Sequence, residues 1–350
     1  MKLDEFIKFN PKESLSKGKC FKCVDMASLK PFTRKPDHFI SIYKNGSKFR
    51  NGDTIMARIT PCLENGKTSY INFLQQNEVA FGSTEFIVAR AKTNVSLPLF
   101  IYYLLCSNRI REIAIGSMTG SSGRERVQQI SLNEIEIPAY SISFQQHIVD
   151  TIGSVDSLIE FNQEKISKIK SLATQKYEFL YKAYPKSAIG KKLKFIKGKQ
   201  PKFASKEDGL PYLVIDDLAS NIYTHFSSEG LACDENDVLM VMDGASSGKV
   251  FTGNKGYVGS TLAKLSSSQI KSSILYFGLS KFEEEIMKNT TGSAIPHTDK
   301  SFVCELQIID DLDGKTIDFF DFCLNQICNL RTQNSLLNIQ KEILLQKFFH

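Results

Sequence analysis

Gly52-Asp53-Thr54-Ile55-Met56 and Asn236-Asp237-Val238-Leu239-Met240 are the two stretches that decide the fold of this chain. Each sets a turn residue and an aspartate before residues suited to a buried strand. The likeness continues outward from them in one order. Asp25-Met26-Ala27-Ser28-Leu29 precedes the first, and Asp216-Asp217-Leu218-Ala219-Ser220 precedes the second. Downstream, Gly66-Lys67 returns as Gly248-Lys249, Phe81-Gly82-Ser83-Thr84 as Val258-Gly259-Ser260-Thr261, and Gly120-Ser121 as Gly292-Ser293. The offset falls from 191 residues at the first match to 172 at the last, so the second copy is the more compact. Chance can supply one such match. Five in register point to duplication of a single unit.

Within each copy the pattern is short strands and turns. Residues 54–59 and 85–88 read as buried or half-buried strands, and Asn51-Gly52 and Asn65-Gly66 as turns. Residues 97–115 have helical spacing, with Arg109 and Arg111 on the polar side, and residues 277–287 look like the equivalent short helix. A long helical stretch follows each copy. In the first, Ile152, Val155, Ile159, Asn162, Ile166, Ile169, Ala173 and Leu180 step by threes and fours, with Lys176 filling the remaining place. In the second, Phe320, Cys323, Ile327, Leu330, Asn334, Leu337, Leu344 and Phe348 do so, with Lys341 between. These are coiled-coil seams, and an Asn inside each would fix register if the two pair. The other reading is that each helix only covers its own domain.

The fold class expected is therefore α+β: two similar globular domains and two long antiparallel coiled-coil helices in a pseudo-two-fold repeat. The boundaries expected are 1–142 for the first domain, 143–184 for the first helix, 185–315 for the second domain and 316–350 for the second helix. A length of 350 residues suits two domains, and 42% hydrophobic residues suit real cores. The net charge of +6 is compatible with nucleic acid without demanding it. Seven lysines lie between Pro185 and Pro201–Lys202, a stretch read either as a solvated linker or as a phosphate contact. Of eight cysteines only Cys20 and Cys23 form a C-x-x-C pair, and no second pair completes a zinc site. Residues 1–10 show no signal-peptide pattern, and no apolar run approaches the roughly 20 residues a membrane span needs. A cytoplasmic chain with reduced cysteines, no metal and no membrane contact is expected.

Motifs for catalysis are missing. Gly66-Lys67-Thr68 resembles the end of a phosphate loop, but that loop needs glycine where this chain has Pro61. There is no G-x-G-x-x-G after a strand, no N-P-P-[YF] or D-P-P-Y, and no G-x-S-x-G elbow. The five histidines are scattered without triad or ligand spacing. The weight passes to binding.

Reading DNA takes cations and hydroxyls for phosphates, and Arg, Lys, Asn, Gln, Ser or Thr for base edges. Residues 116–126, GSMTGSSGRER, offer Ser117, Thr119, Ser121, Ser122, Arg124 and Arg126 among three glycines. Residues 290–300, TTGSAIPHTDK, are the counterpart and offer Ser293, His297 and Lys300. A second cluster follows a strand in each copy: Arg58, Thr60, Asn65 and Lys67 in the first, Ser246, Ser247 and Lys249 in the second. Glu64 and Asp243 either accept from cytosine or pair with a lysine. Ordinary surface loops are the competing reading.

The string from Gly52-Asp53 through Arg58-Ile59-Thr60-Pro61-Cys62-Leu63-Glu64-Asn65-Gly66-Lys67 to Phe81-Gly82-Ser83-Thr84-Glu85-Phe86 resembles the target-recognition domain of type I restriction–modification specificity subunits. Ile137-Pro138, Gln145-Gln146-His147-Ile148-Val149 and Leu158-Ile159-Glu160-Phe161-Asn162-Gln163 are similar to the entry into that family's first conserved helix. Leu344-Leu345-Gln346-Lys347-Phe348-Phe349 resembles the end of the second. The chain departs from the family in lacking further prolines at Ala139-Tyr140-Ser141 and any proline at Ile308-Ile309-Asp310-Asp311. The resemblance implies two domains that each read half of a bipartite, asymmetric site in double-stranded DNA, with the helices as a ruler for the gap. It also implies docking of two methyltransferase subunits and, in a full complex, restriction subunits. This chain would bind no cofactor, with S-adenosylmethionine, ATP and magnesium belonging to the partners. The alternative from another class is a non-catalytic helical scaffold that reads no sequence.

Overall fold

Burial on both faces marks the two central strands. In the computed structural model, which describes residues 1–220, 222–292, 294–309 and 311–350, every residue of Thr54–Ala57 and of Val238–Val241 is buried. Side chains alternate along a strand, so each strand feeds two cores. Met56 joins Ile87 and Ala89 on one face, and Ile55 joins Phe86 and Val88 on the other. In the second copy Val238 and Met240 enter one core while Leu239 and Val241 enter another. This is why both stretches read as continuous apolar runs without a polar face.

By contacts among the described residues the chain divides into two units, Met1–Ser157 with Ile339–His350, and Leu158–Asn338. The first unit has an antiparallel sheet in the order Ile7–Phe9, Phe86–Ala91, Thr54–Ala57, Thr68–Tyr70. A mixed sheet runs Phe39–Ile42, Cys20–Val24, Ala80–Gly82, Ser47–Phe49, and Cys20–Val24 is parallel to Ala80–Gly82. The second unit has Lys194–Lys197, Leu262–Ser266, Val238–Val241, Val250–Phe251, and a mixed sheet Phe226–Ser227, Leu210–Leu213, Gly256–Val258, Ala232–Cys233. There Leu210–Leu213 is parallel to Gly256–Val258. The two units repeat one strand order and one parallel pair, which is the duplication seen as topology. The lysine-rich stretch is not all linker: Lys194–Lys197 is an edge strand, because Phe195 and its neighbours pair with Leu262–Ser266.

Two short helices back each antiparallel sheet, where the sequence suggested one. Residues 97–115 form Pro98–Cys106 and Asn108–Gly116. The break falls at Ser107, whose backbone is extended and whose hydroxyl donates to the Leu104 carbonyl at 2.7 Å. The second copy has Ser272–Lys281 and Glu283–Lys288, broken at Phe282. Phe100 to Leu105 are all buried, as are Ser273 to Leu279, since these helices are covered on every side.

The long helices are Ile142–Ala183 and Gly314–Phe349. Asp313 starts the second, accepting from the Thr316 N–H at 3.0 Å. In the first unit Gln145 is buried and staples the first helix to the loop before Pro98. It accepts from the Leu97 N–H at 2.9 Å and donates to the Val95 and Tyr140 carbonyls at 2.9 Å each. Ile148 and Ile152 share a core with Phe349, and Leu344 packs against it. Asp156 pairs there with Lys341 at 2.7 Å, both almost fully buried, and accepts from the Tyr103 hydroxyl at 2.9 Å. In the second unit Asn162 donates to Asn334 at 2.9 Å, and Asn334 donates to the Ile159 carbonyl at 3.3 Å. Ile166, Ala173 and Leu180 share a core with Phe320, Cys323, Ile327 and Leu330. Within each unit the two helical segments therefore run antiparallel. Val155 is buried, while Ile159, Ile169 and Leu337 are half-buried. Lys176 does not fill the seam. It is exposed, and Tyr177 takes the place because its ring packs on Phe320 and its hydroxyl accepts from the Ile309 N–H at 3.0 Å.

Removing one partner of a buried ion pair leaves an uncompensated charge. Lys341→Met is expected to destabilise the chain by about 3–5 kcal/mol in chemical denaturation, far more than an exposed seam-flanking change such as Lys176→Met.

Candidate nucleic-acid interface

Two polar loops that lie far apart in the first copy's sequence meet in space. Residues 58–67 leave the central strand, and residues 116–126 follow the helix Asn108–Gly116. The Thr60 N–H donates to the Glu125 carbonyl at 3.0 Å, and the Val127 N–H to the Arg58 carbonyl at 2.8 Å. Ile59 and Arg126 form an antiparallel bridge, as do Thr119 and Arg126. Thr119 and Arg126 exchange backbone hydrogen bonds of 3.1 and 2.9 Å, closing a hairpin. Gly120 and Gly123 take φ of 143° and 74° at its turn, a region that side-chain-bearing residues avoid.

The hairpin divides the candidate residues into outward and inward sets. Thr119, Ser121, Ser122 and Arg124 are exposed, as is Asn65 on the neighbouring loop. Among the described residues nothing pairs with the Arg124 guanidinium. Arg126 instead forks onto Glu85, with Nε at 3.0 and 3.1 Å and Nη2 at 2.7 Å from the carboxylate oxygens, and its Nη1 donates to the Arg124 carbonyl at 3.1 Å. The Arg126 guanidinium holds the Glu85 carboxyl below the usual glutamate range. Arg58 donates to the Val127 carbonyl at 3.3 Å, Lys67 to the Met26 carbonyl at 3.0 Å, and Ser117 to the Ala114 carbonyl at 2.7 Å. The Thr60 hydroxyl lies 3.3 Å from the Met118 sulfur. Composition singled out all of these; only the fold separates those that face solvent from those that tie the loops together. Gly66 is required where it stands, at φ 71° with the Phe32 ring 2.5 Å from where a Cβ would sit.

The second copy repeats the construction with other residues. The Gly244 N–H donates to the Pro296 carbonyl at 2.9 Å, and the Thr298 N–H to the Met242 carbonyl at 2.8 Å, so residues 242–249 and 290–300 are joined. Asp243 and His297 form the bridge here. The Asp243 carboxylate takes His297 Nδ1 at 2.7 Å on one oxygen and Lys197 Nζ at 2.7 Å on the other. Asp243 therefore pairs with a lysine, one of its two open readings, and against the opposing effect of burial its hydrogen bonds with the Lys197 ammonium and His297 hold its carboxyl below the ordinary aspartate value. Ser247 is buried and donates to the Gly244 and Pro296 carbonyls at 2.7 and 2.9 Å. Ser246 and Lys249 are half-buried, and His297 and Lys300 are exposed. Ser293 lies outside the described residues, as does Asp310 at the second junction. Sequence reading passed over Glu85 and took Lys197 only as one of seven lysines in a linker or phosphate contact; Glu85 stands inside the Phe81–Phe86 string, but nothing local signals its partner 41 residues on.

Among the described residues no three His, Cys, Asp or Glu side chains gather as for a metal ion, and no helix is long and apolar enough to cross a membrane.

Residues 1–171 match the family described as the type I restriction modification DNA specificity domain. The chain is similar to the type I restriction enzyme MjaVIII specificity subunit of Methanocaldococcus jannaschii, with 31% identity over 175 residues, 46% of this chain and 40% of that one. It is 29% identical to the EcoAI specificity subunit of Escherichia coli over 119 residues, 34% of this chain and 20% of that one. The match thus spans less than half the length of each of these relatives. Among solved structures, the S subunit of a type I restriction-modification system from M. genitalium aligns with a TM-score of 0.48 and 17% identity, over 100% of this chain and 95% of that one. The HsdS subunit from Thermoanaerobacter tengcongensis aligns with a TM-score of 0.42 and 19% identity, over 100% and 95%.

The hairpin glycines are unequal. A Cβ on Gly120 would stand 2.9 Å from the Arg124 carbonyl oxygen, whereas one on Gly123 would meet open space. Gly123→Ala is expected to cost only left-handed strain, about 1–2 kcal/mol. Gly120→Ala is expected to open the hairpin. Amide hydrogen exchange at Thr119 and Arg126 checks this: protection should fall in Gly120→Ala and persist in Gly123→Ala.

Proposed function

We propose that this chain, whose residues 1–171 match the type I restriction modification DNA specificity domain, reads DNA at a bipartite, asymmetric site. The observation that carries this reading is the repeated construction. Each unit has the same strand order and laces a turn after its central strand to a later loop. The frames agree and the displayed side chains do not. One unit displays Ser121, Ser122 and Arg124, the other His297 and Lys300. Arginine forks onto phosphate or onto guanine, while histidine and lysine offer different donor geometry, so two unlike half-sites follow more naturally than a palindrome.

The chain's role is recognition, with methyl transfer and cleavage supplied by other subunits. The surface of the first long helix supports a docking role. Within the second unit Leu158, Leu172 and Phe179 are more than half exposed and stand at multiples of seven residues, with Phe161 beside them. That is an apolar stripe flanking the buried seam, suited to the helices of a methyltransferase subunit.

Methylome sequencing with and without the gene tests the function directly. A bipartite motif should lose methylation on deletion, and an unchanged methylome would sink the reading. Arg124→Ala should weaken cognate binding and lower the slope of log affinity against log salt by about 1, as for loss of one phosphate contact, or relax one base position if it reads guanine. Leu172→Ser with Phe179→Ser should abolish co-purification of the methyltransferase subunit while thermal unfolding of the isolated chain stays the same.

A further inference from the structure

A carboxylate on a surface that meets DNA repels phosphates, so its presence there asks for a reason. Each unit keeps one at the junction of its two loops. In the first, Glu85 ties its own turn to both loops. Its carbonyl accepts from the Arg58 N–H at 2.9 Å, its N–H donates to the Ser83 hydroxyl at 3.1 Å, and its carboxylate holds Arg126. In the second, Asp243 holds His297 from the opposite loop and Lys197 from the edge strand. The bridges Ile59–Arg126 and Asp243–His297 occupy matching places, because aligning Thr54 with Val238 sets Ile59 on Asp243. Arg126 and His297 are therefore counterparts, yet their anions stand beside different strands, Glu85 before Phe86–Ala91 and Asp243 after Val238–Val241. The same closure is achieved by unrelated residues.

We propose that Glu85 and Asp243 are positioning residues, each locking the two loops of its unit into one reading surface without touching DNA. This rests on the DNA-reading function proposed above. Glu85 and Arg126 form a fork, which fixes orientation as well as distance. With Arg126 held, the hairpin can present Arg124, Ser121 and Ser122 at a defined pose, and base readout is sensitive to that pose. Asp243 does the same for His297 and the loop that ends at Lys300.

The test is selection from random duplexes by the full chain assembled with its methyltransferase, reading base preference in each half-site separately. Glu85→Gln should flatten preference in one half by about tenfold and leave the other as it was, and Asp243→Asn should do the reverse. Non-specific affinity should be unchanged or slightly raised, since a negative charge is lost. Arg126→Lys keeps the charge and loses the fork, so an intermediate loss in the same half is expected. The charge swap Glu85→Arg with Arg126→Glu should recover most of the preference, which no general loss of stability would allow. Unchanged preference in Glu85→Gln overturns the proposal, as does equal loss in both halves with a lowered melting temperature. A wild-type complex that selects no sequence overturns the reading beneath it instead, so the two failures are told apart.

Discussion

Everything else in this chain depends on two strands being buried on both faces. Thr54–Ala57 and Val238–Val241 are pinned from either side, so a one-residue slip would carry every side chain into the wrong core. A fixed register gives the turn after each strand a fixed origin. The loops at that turn can then be tied to another segment by backbone hydrogen bonds and by the Glu85–Arg126 and Asp243–His297 contacts. The loops inherit their geometry from packing that lies wholly beneath them.

The long helices use a different means to the same end. Apolar seams tolerate sliding by a heptad, whereas a polar pair does not. Asn162 with Asn334 in one unit, and Asp156 with Lys341 and Tyr103 in the other, are satisfied in one alignment of their own helical segments and stranded in any other. A buried ion pair is weak evidence of stability, because desolvation offsets much of its attraction. Its value here is in the alignment it specifies.

The repeat was readable because duplication leaves glycines and strand starts in order, and Gly52-Asp53 and Asn236-Asp237 do mark matching strands. The break at Ser107 was not readable, since the apolar spacing runs straight through it and only the extended serine backbone ends the helix. Tyr177 was hidden for the reverse reason. Lys176 satisfies the three-four count, and the choice between neighbours depends on the space beside Phe320. At the interface, composition pointed to polar loops but could not say which cations face inward. Arg124 and Arg126 are two residues apart with one chemistry, and they differ because Arg124 lies in the turn, outside the Thr119–Arg126 rungs, while Arg126 stands in the ladder within reach of Glu85. Long-range partners of that kind leave no trace in local sequence.

The closure of the hairpin by main-chain bonds between Thr119 and Arg126 bears on how such a protein changes over generations. The rungs do not involve the side chains of Ser121, Ser122 or Arg124. Substitutions there leave the frame standing, so the displayed side chains can change through intermediates that all fold. The same freedom is denied to Gly120, Glu85 and Arg126, which carry the geometry. Variation among descendants of this chain should therefore be patchy, dense at the hairpin tip and sparse at Gly120 and Arg126 on either side.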